Sequence, residues 1–173
     1  SSFSFSKEVS FGVGIGTNGL DTDFASDSSI PIAIEAKGES YILRGGIEIN
    51  KFFDIDIVYQ SYGNVEFSSP LEPNSYKWSP KSISTNLGVF YPITHYFEPF
   101  LSFGFGYIDL NENKNLMISD SGFTFKYGLG FKSKPLVSYP FSITFGYSSE
   151  EFEIESKSQI SNRVEDFSLN SFY

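Results

Sequence analysis

One histidine, one glycine-rich turn and two acidic runs are the places in this chain where chemistry could reside. His95 is the sole histidine, so any reaction that needs an imidazole base passes through it. It sits in Thr94-His95-Tyr96, a short link between two apolar runs, where a turn or interfacial role is expected. Gly14-Ile15-Gly16-Thr17-Asn18-Gly19 has the G-x-G-x-x-G spacing of a dinucleotide-binding turn. The residues that follow, Leu20 to Asp27, carry no apolar stripe and therefore no helix N-terminus to hold a pyrophosphate. These glycines instead provide small side chains on one strand face and the start of a loop. Asp21, Asp23 and Asp27, and separately Glu150, Glu151, Glu153 and Glu155, could gather a hard cation, yet neither run completes a loop motif. Hydrated acidic loops are the expectation for both. Cysteine is absent, which removes disulfides, thiolate metal sites and thiol nucleophiles. No catalytic residue, metal site or cofactor is expected, and the chain reads as a non-enzyme.

The elements that would position the remaining charged residues are alternating strands. Aromatic residues make up 18% of the 173 residues, while mean hydropathy is only -0.15, a combination explained if every large apolar residue has a polar or small neighbour. Val9-Ser10-Phe11-Gly12-Val13-Gly14-Ile15-Gly16 shows this period of two, as do Tyr41 to Ile49 and Phe53 to Gln60, which a tight turn at Asn50-Lys51 joins into a hairpin. The pattern returns at Ile83 to Ile93, Phe97 to Tyr107, Phe123 to Lys132 and Phe141 to Ser148, and more weakly at Phe167, Leu169 and Tyr173. No helical period, low-complexity tract or domain linker interrupts it, so a single domain over residues 1–173 is expected. No apolar run approaches the ~20 residues of a membrane-spanning helix, and a net charge of -9 excludes nucleic acid as a partner.

Which face is apolar separates a soluble barrel from a membrane one. The apolar set is too bulky in every strand to fill a narrow interior, so it is expected to face lipid. Phe11, Tyr41, Tyr59, Tyr91, Phe103, Phe105, Tyr107, Phe125, Tyr127, Phe145, Tyr147 and Tyr173 would form that surface, with Tyr139 among the tyrosines of its girdles. The other face carries Arg44, Glu48, Asp54, Asp56, Gln60, Glu98, Lys126 and Lys132, which would pair inside the lumen to offset their desolvation. Short links alternate with long acidic ones at residues 17–40, 64–81, 111–121 and 149–164. A two-sheet sandwich does not explain that asymmetry. An up-and-down antiparallel transmembrane β-barrel of about eight strands does, with short periplasmic turns and long extracellular loops.

Leu43-Arg44-Gly45-Gly46-Ile47-Glu48-Ile49-Asn50, Phe53-Asp54-Ile55-Asp56-Ile57-Val58-Tyr59 and the run from Phe97 to Tyr107 carry a further signal. With them the chain resembles the OmpA/OmpX-like family of eight-stranded outer-membrane barrels, across its whole length as a strand pattern. The resemblance implies a Gram-negative outer-membrane location, surrounding lipid and lipopolysaccharide, periplasmic termini, and recognition of an aromatic last strand, here ending at Tyr173, by the barrel-assembly machinery. Some barrels of similar architecture are lipid A deacylases with a His-x-Ser pair at the outer rim, but here Phe97 stands two residues after His95. The expected role is that of a monomeric structural or surface-interaction protein, acting in adhesion or resistance to host defence through its acidic loops. A narrow porin-like conduit for small solutes is the second reading, and a lipid-modifying enzyme of the outer leaflet the third.

Overall fold

The computed structural model describes residues 8–22, 33–69, 72–94, 96–113, 120–134, 141–156 and 163–173. Its strands are β1 (Glu8–Thr22), β2 (Ala33–Lys37), β3 (Glu39–Asn50), β4 (Phe53–Ser61), β5 (Asn64–Ser69), β6 (Glu72–Trp78), β7 (Lys81–Phe90), β8 (Glu98–Asp109), β9 (Ser121–Ser133), β10 (Ile143–Ser156) and β11 (Arg163–Phe172). Eight of these close into a barrel in the order β1-β11-β10-β9-β8-β7-β4-β3, while β2, β5 and β6 form a separate three-stranded sheet. All barrel pairs are antiparallel. The β3–β4 turn is set locally, because the Asn50 side-chain oxygen accepts from the backbone N–H groups of Phe52 and Phe53 at 2.8 and 3.0 Å, fixing a reversal that two residues can span.

Strand register determines how wide the lumen is. Stepping across paired residues from Glu8 to Glu48, Asp54, Gly88, Ser102, Gly128, Ser148 and Ser171 returns to β1 at Asn18, ten residues further along the strand. Eight strands with a stagger of that size give a backbone radius of roughly 8 Å, an interior that side chains can fill. Glycine gives the larger ones room. A Cβ at Gly88 would lie 2.1 Å from Asp54 Oδ1, and one at Gly104 would lie 2.0 Å from Asn86 Oδ1.

Exposure separates the two faces. Phe11, Phe105 and Phe123 are 88%, 74% and 86% exposed, whereas Asp54, Asp56 and Lys126 are 3%, 3% and 6% exposed. A water-soluble barrel would carry those values the other way round. The rings touch laterally around the wall, as in Phe105–Phe125 at 5.4 Å and Phe131–Phe145 at 5.3 Å between centroids.

Towards the end with the long connections, this polarity inverts along the same strands. On β8, Leu101, Phe103, Phe105 and Tyr107 point outwards, but beyond them Asp109 is outside while Ile108 and Leu110 are buried within. On β10, Phe145 gives way to Glu151 and Glu153 outside, with Phe152 inside; on β11, Asp166 is outside while Phe167 and Leu169 are buried inside. Four tyrosines mark the changeover, each donating its hydroxyl to a neighbour towards that end: Tyr41 to Glu39 (3.2 Å), Tyr107 to Ser121 (2.8 Å), Tyr127 to Glu151 (3.2 Å) and Tyr147 to Asn170 (2.7 Å). Rings in hydrocarbon with hydroxyls in a polar layer are the arrangement of an interfacial girdle. The strands thus leave the membrane and continue as a barrel of soluble type.

Several sequence expectations are corrected by this inversion. Tyr173 does not face lipid; its side chain lies in the lumen beside Arg44 and Lys126, and Phe172 takes the outward position at 62% exposure. Phe167 and Leu169, on the same strand, are buried in the interior too. Residues 64–81 are not an open loop but contain β5 and β6, and residues 17–22, 33–37, 39–40 and 149–156 are strand as well. The strand beginning at Lys81 ends at Phe90, short of Ile93.

Candidate functional site: the layered lumen and its cap

The lumen is built in layers. At the short-turn end opens a vestibule of about 390 Å³ walled by Glu8, Glu48, Asp54, Phe90, Glu98 and Lys132. Lys132 is held 2.7 Å from Glu48 and lies over the Phe90 ring, 5.4 Å from its centre. Deeper in, Arg44 bridges Asp54 at 2.7 Å and Asp56 at 2.5 Å, and Asn86 donates to Asp56 at 2.8 Å. Beyond these lies a cavity of about 50 Å³ bordered by Arg44, Asp56, Gln60, Lys126, Ser148 and Tyr173. Among the described residues Gln60 Nε2 and Ser148 Oγ have no partner there, and the space suits water.

The next layer holds a buried ion pair. Lys126 donates to Gln60 Oε1 at 2.5 Å and stands 3.7 Å from Glu150, which accepts from Tyr62 (2.5 Å), Ser82 (2.8 Å) and Thr124 (2.7 Å). Glu150 is 0% exposed, so these partners offset a desolvation penalty of several kcal/mol per ion. Above it the chemistry changes at once. Ile108, Leu110, Phe152, Phe167 and Leu169 from the barrel join Tyr62, Val65, Phe67 and Trp78 in one apolar cluster. Trp78, from β6, is its centre, with ring centroids 4.6 Å from Phe67 and 5.1 Å from Phe167. The sheet β2-β5-β6 is therefore a cap seated on the barrel mouth. Lys77–Glu66 at 2.7 Å ties β6 to β5 within the cap, and Tyr76 reaches out of it to donate to Glu112 beyond β8. Burial, and then that carboxylate, push the Tyr76 phenol far above its ordinary pKa.

Of the residues singled out from sequence, Arg44, Glu48, Asp54, Asp56, Gln60, Lys126 and Lys132 meet in this interior, and Glu98 lines the vestibule. Phe11, Tyr41, Tyr59, Tyr91, Phe103, Phe105, Tyr107, Phe125, Tyr127, Phe145 and Tyr147 lie on the outer surface, and Tyr173 does not. His95, Asp23, Asp27 and Tyr139 fall outside the described residues, as does the Glu155 side chain. Glu150 leaves the acidic loop to which sequence reading assigned it. Its partners Tyr62, Ser82 and Thr124 were missed, although β10's alternation, carried two residues past Ser148, places Glu150 on the lumen face. There it stands directly opposite Lys126.

A closed eight-stranded barrel with rings outside, paired charges within and tyrosines at the polarity boundary is a transmembrane β-barrel of a bacterial outer membrane. The chain belongs to the outer membrane protein beta-barrel domain family, whose model matches residues 3–170. Among solved structures it is similar to outer membrane protein AlkL, determined by solid-state NMR in DMPC lipid bilayers. The TM-score is 0.53 at 12% identity, covering 100% of this chain and 91% of that one; identity that low speaks for the fold alone. No curated protein sequence matches. The short turns are thus periplasmic and the cap extracellular, and the OmpA/OmpX-like resemblance holds at the level of architecture.

Proposed function

We propose that this is a sealed, monomeric, non-enzymatic surface protein, whose barrel anchors a folded cap for contact with molecules outside the cell, in adhesion or defence. The observation carrying this reading is the apolar cluster that joins barrel mouth to cap. It closes the path above the Lys126–Glu150 layer, and it makes the extracellular end a rigid platform. Exposed Asp21, Asp109, Glu151, Glu153 and Asp166 give the wall beneath the cap an acidic character, suited to cationic partners. Outer-membrane lipid, lipopolysaccharide and the assembly machinery complete the set of partners in this reading.

The 390 Å³ vestibule favours the second reading, a narrow conduit. One experiment with two arms separates them. In planar bilayers the whole protein is expected to pass no steady current, and Arg44→Ala and Lys126→Ala should leave the trace flat. On whole cells, replacing residues 64–78 with a short turn should abolish surface binding. Steady current altered by either substitution would establish the conduit, and binding that survives excision of the cap would remove the surface role.

A further inference from the structure

The cap is the upper half of a bent ribbon. Its order β2-β5-β6 repeats that of the barrel strands β3-β4-β7 continuous with it, and all three strands break at one level, at Gly38, at Tyr62-Gly63 and at Ser79-Pro80. Register shows why the ribbon bends there. Tyr41 pairs with Ser61 below the break and Lys37 with Asn64 above it, so residues 38–40 face only 62–63. Ser61 pairs with Lys81 below and Val65 with Trp78 above, so residues 62–64 face only 79–80. One extra residue on one side of a strand pair is a bulge, which bends the strand that carries it. The residues at the break suit the bend. Gly38 has a φ of +101°, and a Cβ there would lie 3.5 Å from Gly63 Cα; Pro80 has no N–H to give to a ladder.

We propose that this aligned break is a hinge and the cap a lid, which swings as one body away from the barrel mouth. What holds the lid shut is separate from what holds it together. Its apolar contact with Ile108, Leu110, Phe152, Phe167 and Leu169 is non-directional. The β6 side is stitched to the segment after β8, where the Ser79 N–H donates to the Leu110 carbonyl at 2.8 Å, the Asn113 N–H to that of Lys77 at 3.1 Å, and the Lys77 N–H to Asn113 Oδ1 at 2.9 Å. The ladders of β2 with β5 and of β5 with β6 include none of these contacts, so they survive a swing. The link from β1 into the cap, residues 23–32, lies outside the described residues; a chain of that length can extend to roughly 33 Å. Lifting the lid uncovers the apolar mouth and leaves the Lys126–Glu150 layer as the remaining barrier to the lumen. Closed, the lid is the platform described above, and the hinge does not depend on which molecule that platform contacts.

Acrylamide quenching of Trp78, the only tryptophan, tests this on the whole protein in lipid vesicles, with hydrogen exchange of the cap amides measured alongside. Gly38→Ala should raise the quenching rate about tenfold, because the closed form holds residue 38 at a φ that strains any residue with a Cβ. A disulfide between Lys77→Cys and Asn113→Cys, whose backbones lie one hydrogen bond apart, should push quenching below that of the unaltered protein, and reduction should restore it. Through all of this the amides of the β5–β6 ladder should exchange as slowly as in the unaltered protein. Quenching unchanged by Gly38→Ala, or unchanged by closing the disulfide, would overturn the hinge. Ladder amides that lose protection whenever Trp78 becomes accessible would also overturn it, since the cap would then be melting and not swinging.

Discussion

Lys126→Met is expected to lower the stability of the folded barrel by about 3 kcal/mol, the lower end of the range for breaking a buried ion pair. The substitution keeps the side chain's bulk but strands Glu150, which is 0% exposed, leaving it, among the described residues, the hydroxyls of Tyr62, Ser82 and Thr124 as donors. Those three bonds keep the loss from reaching the upper end. Adding Glu150→Gln removes the stranded charge, so the double variant should regain most of the stability. Urea unfolding in lipid vesicles reads both effects. A single variant as stable as the parent, or a double variant no better than the single, would show that the pair does not hold this layer together.

The second large effect lies in the cap. Trp78→Ala removes the central ring of the apolar cluster, a truncation that costs about 3–5 kcal/mol when the site cannot collapse. Trp78 is 1% exposed and is the only tryptophan of the chain, so fluorescence reports the site directly. The unaltered protein should emit at short wavelength and resist quenching by aqueous iodide. In the variant, protease should cut within residues 62–81 while the barrel, whose hydrogen-bonded ladder does not include β5 or β6, stays folded. This is local opening of one unit, not global unfolding. Equal protease resistance in both proteins would mean that the cap is held by something other than this cluster.

The barrel was legible in sequence because the membrane-spanning part obeys one rule, with Phe, Tyr, Ile, Leu and Val on one parity and Gly, Ser or paired charges on the other. The runs at Tyr41–Ile49, Phe53–Gln60 and Phe97–Tyr107 keep to it at most positions, with Ile42, Val58 and Phe100 as apolar residues on the lumen parity and Gly45 and Pro99 on the outer one, and their strands and lumen charges follow directly. Reading failed where the strands leave the bilayer. There water replaces lipid, apolar side chains turn inwards, and the period of two persists with its polarity exchanged. Phe167, Leu169 and Tyr173 share one parity in the last and weakest run, so sequence alone puts Tyr173 on the lipid face when its side chain lies in the lumen. Glu150 sits at the changeover itself, last of the polar lumen residues and next to Glu151 on the outside, which made the four glutamates look like one hydrated run. The cap escaped notice for another reason. Val65, Phe67, Tyr76 and Trp78 alternate over only a few residues each, and their apolar face has meaning only once the barrel mouth supplies Phe152 and Leu169 to cover it.

The central physical claim is that one residue type, phenylalanine, meets two solvents on opposite faces of the same wall. Through-space NMR contacts between phenylalanine rings and lipid acyl chains test it most directly. Strong contacts are expected from Phe103, Phe105 and Phe125, and none from Phe100, Phe152 and Phe167. Acyl contacts at Phe152 and Phe167, with Phe103 and Phe125 silent, would turn the barrel inside out and contradict the assignment of lumen, membrane and cap together.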